Sequence, residues 1–489
     1  MKMVKSLLLG SAAGLVAVAG AQAADLPVKA KAVEYVKVCS AYGAGYFYIP
    51  GTDTCIKIGG YARFDTYINS VGTFNPAIAS PAGTIFNGAG AAGALAYPFS
   101  DGDDNDYLTR VRGTIDFDAR TQTDYGTLRS YVRFGAEWNS QSGAGVGPSN
   151  GLYFERAFIQ FSGFTFGYTQ SFFDTGLNYM LTTPYAGSNM WTTLAAYTAQ
   201  FGNGFSATLS LEDTANRTTG VQMSGSTAQP VFGVSTVATG LSYTNFQGGQ
   251  QAPDIVANLR LDQAWGSAQL SGALHQVVAT LPWYAGFVPG IETSSQWGWA
   301  IGGTVEFKLP FLAAGDSLFI QAGYEQGAAS YLGLSGTAQG RSVGVGSIDL
   351  TQVGGSLIAN GAFYTVADAV ATNVFGDTSL TKGWSLQGQF RHYWTPGLRS
   401  ALYAGYLSYE VPDNIVAAFD FNMWQVGVNT IWSPVKNLDI GAEVLYSKVD
   451  GSVPLGQYTA ISNTGTAIGS LMGGSTDIWS GGVRVQRNF

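Results

Sequence analysis

The stretch "YLTRVRGTIDFDAR", residues 107–120, alternates between apolar and charged side chains. The apolar side chains share one face: Tyr107, Val111, Ile115 and Phe117. The charged side chains share the other: Arg110, Arg112, Asp116, Asp118 and Arg120. This two-residue period predicts a β-strand, and its length matches the roughly 9–11 residues with which a tilted strand crosses a bilayer.

The same alternation recurs along the chain, for example in residues 126–138 and 437–447, with no apolar run of about twenty residues beyond the N-terminus. Seven short turns alternate with eight long polar segments. The long segments are residues 70–106, 139–150, 171–192, 214–252, 279–294, 327–381, 410–420 and 450–475. This pattern predicts an all-β fold, a transmembrane antiparallel β-barrel of 16 strands over residues 55–489, with short periplasmic turns and long extracellular loops.

Composition agrees with a barrel but also fits a secreted sandwich or propeller. Charged residues make up 11% of the chain, against about 25% in an average soluble domain. A water-soluble sandwich gives no reason for loop length to alternate so regularly. Tryptophans at both ends of the predicted strands, such as Trp265 beside a short turn and Trp138 beside a long loop, predict two aromatic girdles. The barrel is therefore the favoured architecture.

The N-terminus predicts export. Residues 1–23 have a basic start (Lys2 and Lys5), an apolar run and a final Ala-Gln-Ala, as in a secretory signal peptide. Without Lys2 and Lys5, 22 basic and 32 acidic residues remain, a net charge of −10; a nucleic-acid partner, which would favour a basic surface, is not expected.

The only two cysteines, Cys39 and Cys55, lie sixteen positions apart. That spacing is too long for a Cys-x-x-Cys redox pair, and the two histidines are too distant in sequence to complete a zinc site. In an exported chain these cysteines predict a disulfide, within an N-terminal periplasmic-side segment of residues 24–54 that precedes the barrel.

Three stretches resemble the alphaproteobacterial porin family, the general-diffusion outer-membrane porins of rhizobia-like bacteria. They are "YFYIPGTDTCIKIGGYARFD" (46–65), "ANLRLDQAWGSAQLSGALHQV" (257–277) and "DIWSGGVRVQRNF" (477–489). The resemblance covers essentially the whole chain after the signal peptide. It implies a homotrimer of sixteen-stranded barrels in the bacterial outer membrane, each a water-filled pore narrowed by an inward-folded third loop. Counting strands places that loop at residues 171–192.

The pore wall is expected to carry charge. Alternation places five arginines on the inner side of strands one to three: Arg63, Arg110, Arg112, Arg129 and Arg133. Such a ladder of positive charge would set ion preference. Asp174 in the third loop, with Asp116 and Asp118 on strand two, could complete a transverse field at the narrowing. The alternative is that the arginines pair with inner acids such as Asp65 and Glu137.

One strand conflicts with the pattern, because Glu155 and Arg156 are adjacent. Strict alternation sends one of them outward, where a charge facing lipid costs a few kcal/mol. A subunit interface would remove that cost, which is a weak indication of oligomerisation.

No catalytic, cofactor or metal site is expected. The match to a dinucleotide-binding glycine pattern, residues 88–93, has no following helix, and the acidic residues 101–106 lack the spacing of a calcium loop and fit a solvated loop tip near lipopolysaccharide. We expect His275 on the pore side and His392 on the lipid side, not a catalytic pair.

The expected function is passive diffusion of small hydrophilic solutes and ions. The alternatives are a substrate-specific outer-membrane channel, a barrel enzyme such as a protease or phospholipase, and an adhesin that displays the long loops.

Overall fold

The computed structural model describes sixteen ranges: residues 37–68, 70–71, 75–76, 108–140, 149–182, 184, 186–223, 247–285, 288–334, 356–359, 362–371, 378–412, 420–451, 459–461, 467–470 and 475–489. The predicted signal peptide of residues 1–23, residues 88–93 and residues 101–106 lie outside these ranges. The described part contains no helix that is long and apolar enough to span a membrane.

Sixteen strands form one barrel. The first eight are β1 Thr54–Ile68, β2 Leu108–Thr123, β3 Gly126–Asn139, β4 Ser149–Phe161, β5 Phe164–Gln170, β6 Trp191–Gly202, β7 Phe205–Glu212 and β8 Asp254–Gln263. The second eight are β9 Gly266–Ala285, β10 Val288–Lys308, β11 Ser317–Gln326, β12 Lys382–Thr395, β13 Leu398–Glu410, β14 Phe421–Val435, β15 Leu438–Gly451 and β16 Ser475–Asn488.

The sheet closes on itself. Each strand pairs antiparallel with the next along the chain, and β16 pairs with β1, where Asn488 lies opposite Tyr61 and Gly481 opposite Ile68. Closure leaves every strand with a neighbour on both sides, which is the condition for a sheet to sit in a membrane. The predicted fold and strand count are confirmed.

The two faces of the barrel differ as the alternation predicts. On β2, Val111 and Ile115 are 51% and 42% exposed, whereas Arg110, the residue before Val111, points inward and is 3% exposed. Large apolar side chains cover the outer face of the other strands in the same way. Seven of the predicted girdle tryptophans are exposed on the outside: Trp138, Trp265, Trp297, Trp384, Trp394, Trp432 and Trp479. The outer surface is therefore the one that meets lipid.

The expectation of a long loop at residues 279–294 is wrong. Strands β9 and β10 continue through it as a hairpin, pairing from Gly266–Phe307 up to Ala285–Val288. Pro282 and Pro289 lie near the end of this two-stranded hairpin, where a missing backbone donor is tolerated.

The conflict at Glu155 and Arg156 is resolved by a β-bulge. The register of β3 against β4 shifts between Arg133 and Phe134, so that Arg156 lies opposite Arg133 and Phe154 opposite Phe134. A bulge inserts one extra residue into a strand. Side chains beyond it therefore point to the opposite face from the one that strict alternation predicts. Glu155 and Arg156 consequently both turn inward, and the expectation that one of them faces lipid or a subunit is wrong.

Shorter elements lie outside the barrel. The additional strands are Phe47–Tyr48, Ser70–Val71, Asn75–Pro76, Val221–Met223, Ser356–Ala359, Ala362–Thr365, Ala369–Ala371, Thr378–Leu380, Thr459–Ile461 and Ala467–Ser470. The 3₁₀ helices are Ser40–Tyr42, Thr214–Asn216 and Ala329–Leu332.

The predicted disulfide is confirmed: Cys39 is bonded to Cys55 at the start of β1. In the chain-entropy model, closing a loop of this length contributes about 3 kcal/mol. The bond fixes the strand Phe47–Tyr48 against β1. Tyr46 in this segment reaches the inner face, where burial and a hydrogen bond to Asp118 raise the pKa of Tyr46 to about 12.

Candidate pore wall and constriction loop

One side of the barrel interior carries most of the inward-facing arginines. It is formed by β16 and β1 to β4, and we refer to it as the arginine wall. Within the described residues it contains eight arginines: Arg63, Arg110, Arg112, Arg120, Arg129, Arg133, Arg156 and Arg484. It also contains five carboxylates: Asp65, Asp116, Asp118, Glu137 and Glu155.

Asp65 lies at the centre of the first group of charges. Its carboxylate is fully buried and contacts three guanidinium groups, those of Arg484 at 2.6 Å, Arg63 at 3.1 Å and Arg110 at 3.2 Å. Three cations around one anion give this group a net positive charge. Asp65 was expected only as one possible partner of the inner arginines.

Further along the wall, neighbouring arginines share acids. Asp118 lies 2.8 Å from Arg120 and 2.9 Å from Arg129, two arginines that face each other directly across β2 and β3. A shared carboxylate offsets the repulsion that like charges in opposite positions would cause.

The third group includes the bulge. Asp116 lies 2.7 Å from Arg133, while Glu155 lies 3.3 Å from Arg133 and 3.8 Å from Arg156. Because the bulge turns both Glu155 and Arg156 inward, it adds an acid and a base to the wall at one level.

The fourth contact joins Arg112 to Glu137, its direct partner across β2 and β3. The five predicted arginines and both predicted strand-two aspartates are therefore all on the inner face. Their arrangement agrees with the alternative in which arginines pair with inner acids. Eight arginines against five carboxylates nevertheless leave an excess of three positive charges.

Aromatic rings hold several of these guanidinium groups. Arg112 lies 4.9 Å from the ring centre of Tyr153 and Arg129 lies 5.2 Å from that of Phe158. Stacking of a guanidinium on an aromatic face is favourable and restricts its rotation. The positive charges of the wall are thus fixed in position.

The segment between β5 and β6, residues 171–190, leaves the sheet and contacts the opposite side of the barrel interior. Near its start, the Asn258 side chain on β8 donates a hydrogen bond to the Phe172 carbonyl at 2.6 Å, and the Gln269 side chain on β9 donates to the Phe173 carbonyl at 3.2 Å. The ring of Phe173 packs among buried apolar side chains of β8, β9 and β10. We call this segment the third loop.

Asp174 closes the base of the third loop. Its carboxylate accepts a hydrogen bond from the Met190 backbone at 2.7 Å and pairs with Arg217 at 2.9 Å, and neither ionic side chain is exposed. A charge that is buried and paired in this way exerts little field on the water path. The geometry therefore favours a role for Asp174 in holding the base of the loop over the transverse field predicted from the sequence.

The tip of the loop reaches strands that lie far from β5 in sequence. The Tyr179 backbone donates to Gln389 on β12 at 2.7 Å, and its hydroxyl donates to Glu306 on β10 at 2.8 Å. The Asn429 side chain on β14 donates to the Tyr179 carbonyl at 2.9 Å. Tyr179 therefore joins three strands.

Glu443 on β15 receives the end of the tip. It accepts hydrogen bonds from the Leu181 backbone at 2.5 Å, from the Thr182 backbone at 3.0 Å and from the Thr182 hydroxyl at 2.5 Å. Hydrogen bonds to a charged acceptor are the stronger ones in proteins. No sequence signal links Glu443 to the loop, because the two are more than 260 positions apart.

These contacts divide the interior. The third loop lies along the inner sides of β8 to β15, which leaves the arginine wall facing it. Among the described loop residues, the side chains that are not fully buried are uncharged: Phe172, Thr175, Leu177, Asn178, Leu181 and Asn189. The interior therefore has a wall with excess positive charge on one side, and on the other side the described loop residues whose side chains are not fully buried carry no charge.

The two histidines lie in different surroundings. His275 is on the inner face of β9, as expected, but it is fully buried beneath loop residues, with Nδ1 2.7 Å from Asp254 and Nε2 3.6 Å from Asp368. It does not line a water path. His392 lies on β12, with Nδ1 2.6 Å from Asp316. Among the described residues, no group of three or more His, Cys, Asp or Glu side chains is arranged to hold a metal ion.

Comparison with known proteins gives concordant results. Residues 25–472 match a family model described as Porin subfamily. The chain is 32% identical over 330 residues to Porin Omp2b of Brucella suis biovar 1, covering 64% of this chain and 82% of that protein. It is 33% identical over 330 residues to Porin Omp2b of Brucella canis, again over 82% of that protein.

Among solved structures, the outer membrane channel DcaP of Acinetobacter baumannii is similar in fold. The TM-score is 0.54 with 16% sequence identity, and the match covers 90% of this chain and 99% of that one.

Proposed function

This chain belongs to the porin subfamily and is an outer-membrane channel, and from that premise we propose that small hydrophilic solutes and ions diffuse passively through its barrel. The observation that carries the proposal is the charged inner face of a closed sixteen-stranded sheet, with eight arginines on one side. Barrels of about this strand number enclose a water-filled lumen. Diffusion down a gradient requires no cofactor and no energy source.

We propose that the third loop is the constriction. Its support is the set of hydrogen bonds from residues 172–182 to β8, β9, β10, β12, β14 and β15. A loop held against the wall at so many points keeps a defined shape. The inner arginines and Asp116, Asp118 line the remaining path, and Asp174 serves to hold the base of the loop.

Liposome swelling tests this function. Vesicles that contain the protein should swell in uncharged ethylene glycol oligomers of graded size, at rates that fall smoothly as the oligomers lengthen. A size cut-off follows from passage through a single narrowing. Vesicles that stay impermeable to all of the oligomers would contradict the proposal, and rapid passage of one solute alone would favour a substrate-specific channel.

We propose that the channel assembles as a homotrimer whose outer surface meets membrane lipid and lipopolysaccharide. Membership of the family supports the trimer, whereas Glu155 and Arg156 no longer do, because both face inward. The expected result is a native mass of three chains in mild detergent. A strictly monomeric species after mild extraction would count against it.

The absence of enzymatic activity is likewise a proposal. A hydrolase needs a nucleophile, a base and an orienting acid in one open site. Both histidines are instead paired with aspartates at separate places on β9 and β12.

A further inference from the structure

A cavity of about 290 Å³ lies between the base of the third loop and the inner sides of β4 to β9. Small-molecule pockets in proteins range from about 300 to 1,000 Å³, so this cavity lies at the lower limit of that range and has room only for a small solute. It adjoins the arginine wall through Gln160, whose side-chain carbonyl accepts a hydrogen bond from Arg129 at 3.0 Å.

The lining of the cavity is rich in hydroxyl and amide groups. The hydroxyls of Thr198 and Thr208 lie 2.9 Å apart on neighbouring strands, and the Gln160 side chain donates to the Thr165 hydroxyl at 3.3 Å. Asn258 adds an amide. Hydroxyl and amide groups both donate and accept hydrogen bonds. A ligand that carries several hydroxyls can therefore accept hydrogen bonds from these groups and donate hydrogen bonds to them.

The charges of the lining are already paired. Asp174 is bound to Arg217 at 2.9 Å, and Arg260 is bound to Asp262 at 2.8 Å. A charged solute would therefore lose its hydration without gaining a free counterion, which is unfavourable. A neutral solute does not meet that penalty.

Two aromatic side chains complete the lining. Phe158 and Phe172 are partly buried in it, and they offer apolar surface against which the carbon face of a ring can pack. Hydroxyl and amide groups beside an aromatic face suit a solute that is polar at its edge and apolar on its face.

We propose that this cavity is a subsite for neutral polyhydroxylated solutes the size of one sugar ring. The inference rests on the proposed function, because such a solute reaches the cavity only through the water-filled pore. The inference goes beyond that function, because it assigns the inner surface of β4 to β9 to uncharged solutes, which the charges of the arginine wall do not select.

Ion current through single channels in the presence of glucose tests the proposal. The purified full-length protein should show a partial, reversible reduction of current that saturates as glucose concentration rises. In the triple variant Thr165→Val, Thr198→Val, Thr208→Val, three hydroxyls are lost with little change of shape. Because three hydrogen-bonding groups are lost, half-saturation should require at least about tenfold more glucose.

The matched control is Thr304→Val, a buried threonine on the inner face of β10 outside the cavity, which should leave the glucose response unchanged. A wild-type channel with normal conductance and no saturable response would overturn the subsite and leave the proposed function standing. An equal loss of response in the control and the triple variant would also overturn it. Folded protein without any ion current would overturn the proposed function itself.

Discussion

Replacing Arg63, Arg120 and Arg156 together by glutamine is expected to make the channel more permeable to cations relative to anions, which is measured as a shift of its reversal potential under a salt gradient. These three are the surplus cations of the arginine wall. Asp65 keeps Arg110 and Arg484, Asp118 keeps Arg129, and Glu155 keeps Arg133. The variant therefore removes the excess of three positive charges without leaving an unpaired carboxylate, which would be strongly destabilising.

The size of the effect follows from Coulomb's law. Three unit charges about 10 Å from a permeating ion in water contribute about 1 kcal/mol, which corresponds to a several-fold rise in the local concentration of anions and a several-fold fall in that of cations. Screening shortens the range from about 30 Å at 0.01 M salt to about 10 Å at 0.1 M. The shift should accordingly be largest in dilute salt.

The control for this variant is the double replacement Arg112→Gln, Glu137→Gln. It removes one paired cation and its anion and leaves the net charge of the wall unchanged. The reversal potential should stay near that of the wild type. If the triple variant folds and its selectivity in dilute salt equals the wild type, the arginines are a structural lining and do not act as a filter.

Replacing Glu443 by alanine is expected to turn a steady open-channel current into a fluctuating one. The substitution removes the acceptor of three hydrogen bonds from Leu181 and Thr182. Hydrogen bonds to a charged group are worth about 1.5–3 kcal/mol each. A loss of about 3 kcal/mol already raises the population of a released tip by about a hundredfold. A released tip can enter the water path beside the arginine wall.

Single-channel recording distinguishes the expected outcomes. Glu443→Gln keeps one carbonyl acceptor and should fluctuate less than Glu443→Ala. Glu410→Ala changes a rim glutamate that is paired with Lys382 and should behave as the wild type. A folded Glu443→Ala channel with a steady current would show that the tip does not depend on this contact.

The barrel could be predicted from the sequence because alternation is a local signal. Residues such as Val111 and Arg112 take opposite faces wherever a strand is regular, and short and long connections follow each other along the chain. The exceptions are places where regularity fails. The adjacent charges Glu155 and Arg156 revealed an irregularity, but its form as a bulge depends on the register of β3 against β4.

For the candidate site, the sequence predicted which side chains face inward but not which of them pair with one another. Alternation placed Arg110, Arg112, Arg129 and Arg133 on the inner face, but pairing with Asp116 or Glu137 depends on which residues face each other across strands. The anchors of the third loop were out of reach, because Asp174 meets Arg217 and Thr182 meets Glu443 only after the barrel has closed.

We infer that the barrel interior is an open, water-filled path beside a positive wall. The measurement that tests it most directly is the current through purified protein in a planar bilayer under a salt gradient. We predict stepwise channels whose conductance rises with salt concentration and whose reversal potential shows a preference for anions. Folded protein that produces no steps would show that the interior is not an open path, and steps that prefer cations in dilute salt would show that the wall does not favour anions.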